Sequence, residues 1–411
     1  AAAAVVDGAN WDGAAAGRAV REASMSEPIT LYSTEIDANP FPAYRRLRDE
    51  FPCYWSKSAG IWFLSRYADV AGAAVDWETY SSLGGNLIDE IPGRSGGTLG
   101  TTDPPRHDRL RRLANHAFAR KNLAEIIDHA EAVARHAAGE CVGQVSLDFV
   151  RSFSSRVTVD TILHMLGLPQ RDPAEIRSKV VLSISTDKQT KGRSTKMNEA
   201  FAEISDFLGN AVAQRRREPS DDLITKLAEA EIDGDALSER EIVLTTSMFV
   251  VAGVESLSSF MSIFALNLAQ MRDVQDAVRR RPELMKQAIE ESLRFNTSAQ
   301  RFKRVLTRDV ELHGQVMRKG DYVALAYGAA NRDERQFPDA DIYDLERNPK
   351  GHLGFGTGKH FCIGNDFARM VMERAMNVFL AQMPPFRLER DHLAWVPSSN
   401  FRSPVALPLA T

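Results

Sequence analysis

The chain has 411 residues, 44% hydrophobic and 26% charged, with a formal net charge of −4. That is the composition of an ordinary soluble globular protein, long enough to bury a large core and still enclose a cavity. No bulk charge draws it toward nucleic acid or a membrane, so any basic docking surface is local.

Residues 1–24 are rich in Ala and Gly and lack the basic-then-apolar order of a signal peptide. Met25 reads as the natural start, with residues 1–25 as a disordered or non-native extension and 26–411 as a single domain. No stretch approaches the roughly 18–20 consecutive apolar residues of a membrane helix. The cysteines Cys53, Cys141 and Cys362 are odd in number and widely spaced, which argues against a disulfide framework and for a reducing, cytoplasmic setting.

In chain order, Ile61–Ser65 reads as a strand and Tyr80–Pro105 as a long loop of the kind that serves as a lid. The run D-P-P-R-H-D-R-L-R-R from Asp103 is a turn entering a helix, which puts His107 and Arg111 on one face. Arg109, Arg112, Arg120 and Lys121 read as a solvated basic face, usable for docking an acidic electron donor. Three- and four-residue apolar spacing predicts helices near 106–142, 147–167, 172–186, 196–217 and 238–271. A second lid loop, Asp187–Lys196, carries Lys188, Lys191, Arg193 and Lys196, which read as solvated charges.

Ser238 and Glu241 form a capping box before an apolar run. The helix extends to about Arg272, roughly 34 residues or about 50 Å. It is apolar nearly all round from Ile242 to Val254, so it is buried. Gly253 costs this helix about 1 kcal/mol relative to Ala. Glu255 and Ser256 place an acid and a hydroxyl in a greasy wall, where unpartnered polar groups are costly. Glu291 and Arg294 share a helical face. Short strands follow at Val305–Leu312 and Tyr322–Ala326, with a C-terminal pair near 385–390 and 403–409.

Residues 354–369 read G-F-G-T-G-K-H-F-C-I-G-N-D-F-A-R. Taken alone, Cys362 is a small buried hydrophobe. Its context is glycines that permit close approach to a flat ligand, then a helix from about Asp366. A thiol at a loop-to-helix junction is held anionic by backbone N–H groups and the helix end, as a haem iron requires.

This run, with Phe355, Gly356, Gly358, His360, Cys362, Gly364, Ala368 and Arg369, resembles the cysteine-ligand loop of the cytochrome P-450 family. The resemblance covers about residues 26–411. It implies a mainly α fold with small β-sheets, in which haem b lies between the long central helix and the cysteine loop. Cys362 would be the axial iron ligand, Phe355 would pack beside the sulfur, and Gly356 and Gly364 would shape the loop. His360 and Arg304 would reach one propionate; His107 and Arg111 would hold the other. Ala252, Gly253, Glu255 and Ser256 would form a widened oxygen groove in which the acid and the alcohol relay protons, with Ser256 standing where the family usually has Thr. Glu291, Arg294 and Arg347 would form a buried structural network. Leu87, Ile88, Val251, Ala252, Ser298, Ala299 and Phe302 would face a small-molecule substrate.

The implied activity is insertion of one oxygen atom from O2, with electrons from an external ferredoxin and ferredoxin reductase and no nucleic-acid or membrane partner. Three alternatives stay open: a peroxide-driven enzyme, an oxidative-coupling catalyst, and a haem carrier or sensor without turnover.

Overall fold

The computed structural model describes residues 27–117, 123–232 and 234–411. The expected N-terminal extension, Arg120 and Lys121 lie outside the described residues.

The chain begins with α1 (Thr34–Ala38), α2 (Phe41–Glu50), β1 (Cys53–Ser56), β2 (Ile61–Leu64), α3 (Tyr67–Val75) and β3 (Tyr80–Ser81). The helical body follows: α4 (Arg106–Ala117), α5 (Ala124–Cys141), β4 (Ser146–Asp148), α6 (Ser155–Met165), α7 (Pro173–Ile184), α8 (Thr195–Arg217) and α9 (Leu223–Glu229). A small hairpin, β5 (Glu231–Ile232) and β6 (Asp235–Ala236), precedes α10 (Glu239–Gln270), α11 (Arg272–Arg280) and α12 (Met285–Phe295). The last part holds β7 (Phe302–Leu306), β8 (Val310–Leu312), β9 (Gln315–Met317), β10 (Tyr322–Leu325), α13 (Tyr327–Ala330), α14 (Asn365–Gln382), β11 (Arg387–Leu388) and β12 (Pro408–Ala410). The mainly helical architecture with small sheets matches expectation.

The central helix α10 organises the molecule. Its start is fixed by the predicted capping box: Ser238 Oγ accepts from the Glu241 N–H at 3.3 Å, and Glu241 Oε2 accepts from the Ser238 N–H at 3.0 Å. It is long and apolar enough to cross a membrane, yet 78% of its most apolar window is buried inside the fold, so it is a core helix. Helix α6 meets it at the α6 N-cap, where small residues face each other: Ser154 Oγ lies 3.2 Å from Ser258 Oγ and 2.8 Å from Ser262 Oγ. Around this pair α5, α8, α12 and α14 close one large apolar core.

A second core lies under a five-stranded sheet of order β1-β2-β10-β7-β3. β10 runs parallel to β2 and antiparallel to β7, pairing Val323 with both Trp62 and Arg304. The C-terminal sheet is β11-β12-β4, so it borrows a strand from between α5 and α6.

Three expectations change in detail. The helical stretch expected over 106–142 is two helices, α4 and α5. The strand expected over Val305–Leu312 spans two: β7 belongs to the main sheet, while β8 pairs with β9 in a hairpin of its own. The second lid loop is only partly a solvated charge cluster: Lys191 and Lys196 are exposed, but Lys188 is ion-paired with Asp37, and Arg193 donates to Asn198 Oδ1 at 2.8 Å.

Candidate functional site

The cysteine loop is built by backbone bonds before it acts on anything. The Gly356 N–H donates to Leu353 O at 2.9 Å, and the Cys362 N–H donates back to Phe355 O at 3.0 Å. Gly356 and Gly358 sit at φ of 69° and 68°, a region that favours glycine. A Cβ at Gly354 would stand 2.8 Å from the Leu293 carbonyl oxygen, so this strand lies directly on α12. After Gly364 the chain turns into α14.

Burial pushes the Cys362 thiol up from its ordinary value; the Gly364 N–H and the charges of Arg111 and Arg369 pull it back down. A sulfur so placed needs one further positive partner to stay anionic, which a bound metal cation supplies.

One cavity of about 320 Å³ is lined by Cys362 and by the Ala252, Gly253 and Ser256 face of α10. Its polar wall gathers His107 and Arg111 from α4, Arg304 from β7, and His360 from the cysteine loop. The His107 and His360 rings meet edge to face, 4.7 Å between centroids. Burial lowers the His107 imidazole, and its Nε2 is buried with no hydrogen-bond partner. His360 is pushed down to about 4 by burial, with Arg304 and His107 adding to the effect. Its Nε2 lies 3.0 Å from Ser82 Oγ. Arg304 donates from Nη1 to Lys303 O at 2.8 Å, and Arg111 from Nη1 to Lys359 O at 3.1 Å. Asp108 lies 3.0 Å from His107 Nδ1 and Asp103 3.9 Å from His360 Nε2, but no carboxylate is among the residues that line the cavity, so two arginines and two histidines there fit a ligand that carries its own carboxylates. This donor set, the thiol and the glycine-lined approach together fit a haem.

Glu291 and Arg294 are fully buried and joined by two bonds: Nε to Oε2 at 2.8 Å and Nη2 to Oε1 at 2.6 Å. Arg347 Nε reaches the same Oε1 at 3.2 Å. The expected triad therefore forms, and its tie to the cysteine loop is Asn331. The Asn331 carbonyl accepts from Arg294 Nη1 at 3.0 Å, while its Oδ1 accepts from the Leu353 N–H at 2.6 Å.

A neighbouring network was not singled out in the sequence. Glu290 accepts from Arg369 Nε at 2.6 Å and lies 3.0 Å from His352 Nε2. Burial opposes its charge, but His352 and Arg369 hold the carboxyl at about 2. Arg369 in turn lies over the Phe355 ring, 4.5 Å from its centroid.

The two polar residues of the groove point differently from expectation. Ser256 lines the cavity, but its hydroxyl donates to the Ala252 carbonyl one turn back, so α10 is unbroken here rather than widened. Glu255 does not line the cavity. Its carboxylate is 1% exposed, accepts from Ser259 Oγ at 2.8 Å, and lies 3.7 Å from Arg177 Nη2 on α7. Ser259 Oγ also contacts Ser403 Oγ at 2.7 Å. Arg177 and Ser403 carry no local sequence signal; only packing brings them to Glu255.

Of the expected substrate-facing residues, Leu87, Val251, Ala252, Ser298, Ala299 and Phe302 line the cavity. Ile88 does not: it packs with Phe63 and Ala324 in a separate core, and its N–H donates to Asn400 Oδ1 at 3.0 Å. Sequence reasoning missed the polar Asn86 and Arg94 and the apolar Phe201, Met248 and Phe401, which also line the cavity. Arg109 is not a free surface cation either; it forks onto Asp235 at 2.5 and 2.7 Å and reaches Glu241 at 3.0 Å.

Comparison with known proteins bears on all of this. Residues 183–400 match the family model described as Cytochrome P-450. The chain is 33% identical over 356 residues to the mycinamicin IV hydroxylase/epoxidase of Micromonospora griseorubida, covering 85% of this chain and 89% of that protein. It is also 33% identical over 362 residues to the steroid C26-monooxygenase of Mycobacterium tuberculosis, covering 85% and 87%. Among solved structures, a cytochrome P-450 from Chondromyces apiculatus superposes with a TM-score of 0.84 at 26% identity, covering 93% of this chain and 97% of that one.

Proposed function

The chain belongs to the cytochrome P-450 family of haem-dependent monooxygenases, and from that premise we propose that it uses haem b to hydroxylate or oxidatively dealkylate a small, mostly apolar organic molecule. The observation that supports this reading best is the shared cavity: Cys362, the Ser256 face of α10 and the four cations and imidazoles all line one space. Cys362 is the axial ligand in this reading. His107, Arg111, Arg304 and His360 take the propionates, with Phe355 and Gly356 beside the sulfur. The haem, once bound, supplies the redox chemistry that activates O2.

The chain's own residues do the rest. The apolar wall of Leu87, Val251 and Phe302 excludes water and holds the substrate by shape. Asn86, Arg94 and Ser298 are polar residues in an otherwise apolar wall, which favours a substrate that carries an acceptor group. Ser256 keeps a hydroxyl at the cavity surface, while Glu255 is held behind the helix by Ser259 and Arg177. Electrons come from a ferredoxin and its reductase in the cytoplasm.

The test is the reduced, carbon-monoxide-bound difference spectrum of the purified protein beside Cys362→Ala. A strongly red-shifted band that disappears in the variant supports thiolate ligation. A band that is unshifted, or indifferent to Cys362, overturns the proposal. Product analysis with isotopically labelled O2 then separates oxygen insertion from oxidative coupling.

A further inference from the structure

A second cavity of about 390 Å³ shares no lining residue with the first. We propose that it is a binding site for a small oxyanion, a carboxylate or a phosphate monoester, seated against Arg332 and Arg402.

Both arginines are buried, 6% and 7% exposed. Arg402 has no carboxylate partner among the described residues. Its Nη1 donates to Asn296 Oδ1 at 3.0 Å, its Nη2 to Ala38 O at 2.7 Å, and its Nε has no partner at all. The guanidinium is instead stacked on Trp395, 3.5 Å from the ring centroid. Arg332 donates from Nε to Phe295 O at 2.6 Å and from Nη1 to Asp341 at 2.7 Å, and that carboxylate is shared with Arg45 at 2.5 Å. Asp37, the other nearby acid, is already paired with Lys188. Asp391 stands exposed on the rim.

The floor therefore holds two buried cations and one shared counter-charge. Burial pushes Arg402 down to about 9 and Arg332 down to about 10, and Arg332 adds to the effect on Arg402. A buried cation without a counter-ion is costly, and stacking on aromatic rings offsets only part of that cost. Both guanidiniums line this cavity, and a planar guanidinium is suited to an oxyanion, whose charge would complete the site. The position is close to the substrate: the Arg402 N–H donates to Ser298 O at 2.8 Å, and Ser298 and Phe401 line the first cavity.

The probe is inorganic phosphate on the haem-loaded protein, with sodium chloride at matched ionic strength as control, read by thermal unfolding and by calorimetry. Two variants accompany the wild type. Arg402→Gln removes the charge, and Gln270→Glu places a carboxylate at the exposed mouth without touching the core.

Phosphate is expected to stabilise the wild type beyond chloride, and either variant to weaken its binding by about tenfold or more. Should Arg402→Gln fail to fold, Gln270→Glu decides alone. Equal stabilisation by chloride, or undiminished phosphate binding in the folded variants, overturns the proposal. So does a Soret shift that tracks phosphate occupancy, which would place the anion in the haem cavity.

Discussion

Replacing Arg294 by Lys keeps the charge and removes the fork. In the structure the guanidinium makes five bonds: two to Glu291, and one each to the carbonyls of Asn331, Ala340 and Ile342, at 2.6 to 3.1 Å. An ammonium has three donors on one atom, so at least two of these acceptors lose their partner. Each buried acceptor left unpaired costs about 1–3 kcal/mol, which puts the loss for two at about 2–6 kcal/mol.

The damage also has a direction. Asn331 holds Leu353, Leu353 holds Gly356, and Phe355 holds the Cys362 N–H, so the sulfur is a few bonds from the lost contact. Urea unfolding of haem-loaded wild type and R294K should show the midpoint fall at unchanged slope. The carbon-monoxide difference spectrum should show part of the thiolate band converted to an unshifted one. A stability loss below ~1 kcal/mol with an intact thiolate band would refute the reasoning, because the network would then not be what holds the loop.

Gly354→Ala drives a methyl toward the Leu293 carbonyl at 2.8 Å, so the variant should lose about 1–3 kcal/mol and purify with less haem; unchanged haem content would count against the close approach. Ser256→Ala removes a hydroxyl bonded only to its own helix, so its stability should stay within about 1 kcal/mol of wild type. Its hydrogen peroxide yield per O2 consumed should rise, and an unchanged yield would remove Ser256 from proton handling. Glu290 supplies a pH test. Its folded carboxyl lies at about 2, below its unfolded value of 4.5, so its stabilisation is fully present above pH 4.5 and is lost as pH falls toward 2. With the side chain nearly a third exposed, solvent screening reduces the effect to about 1–2 kcal/mol. The stability gap between wild type and Glu290→Gln should therefore close as pH falls from about 5 to about 2. A gap independent of pH would show that the carboxylate charge is not what stabilises.

Much of this protein was legible from local pattern. The capping box at Ser238 and the all-round apolarity of α10 fixed a buried central helix, because both signals are complete within one stretch of chain. The glycines around Cys362 identified the loop for the same reason, whereas the burial of Glu291 with Arg294 was implied by the family resemblance and not by their spacing. His107 and Arg111 were found because one helical turn sets their shared face.

What failed to show in sequence depended on contacts between distant segments. Ile88 and Leu87 are equivalent as apolar loop residues, and only the path of the loop against Phe63 sends one to the core and the other to the cavity. Glu255 looked like a cavity acid until Arg177 and Ser403 were packed behind it. The buried charges of Arg332 and Arg402 could not be read at all, since residues near 40, 267, 296 and 395 come together only when the helices and the C-terminal segment close on one another. Periodicity reports which face of an element is apolar; which neighbour meets that face is decided by tertiary packing.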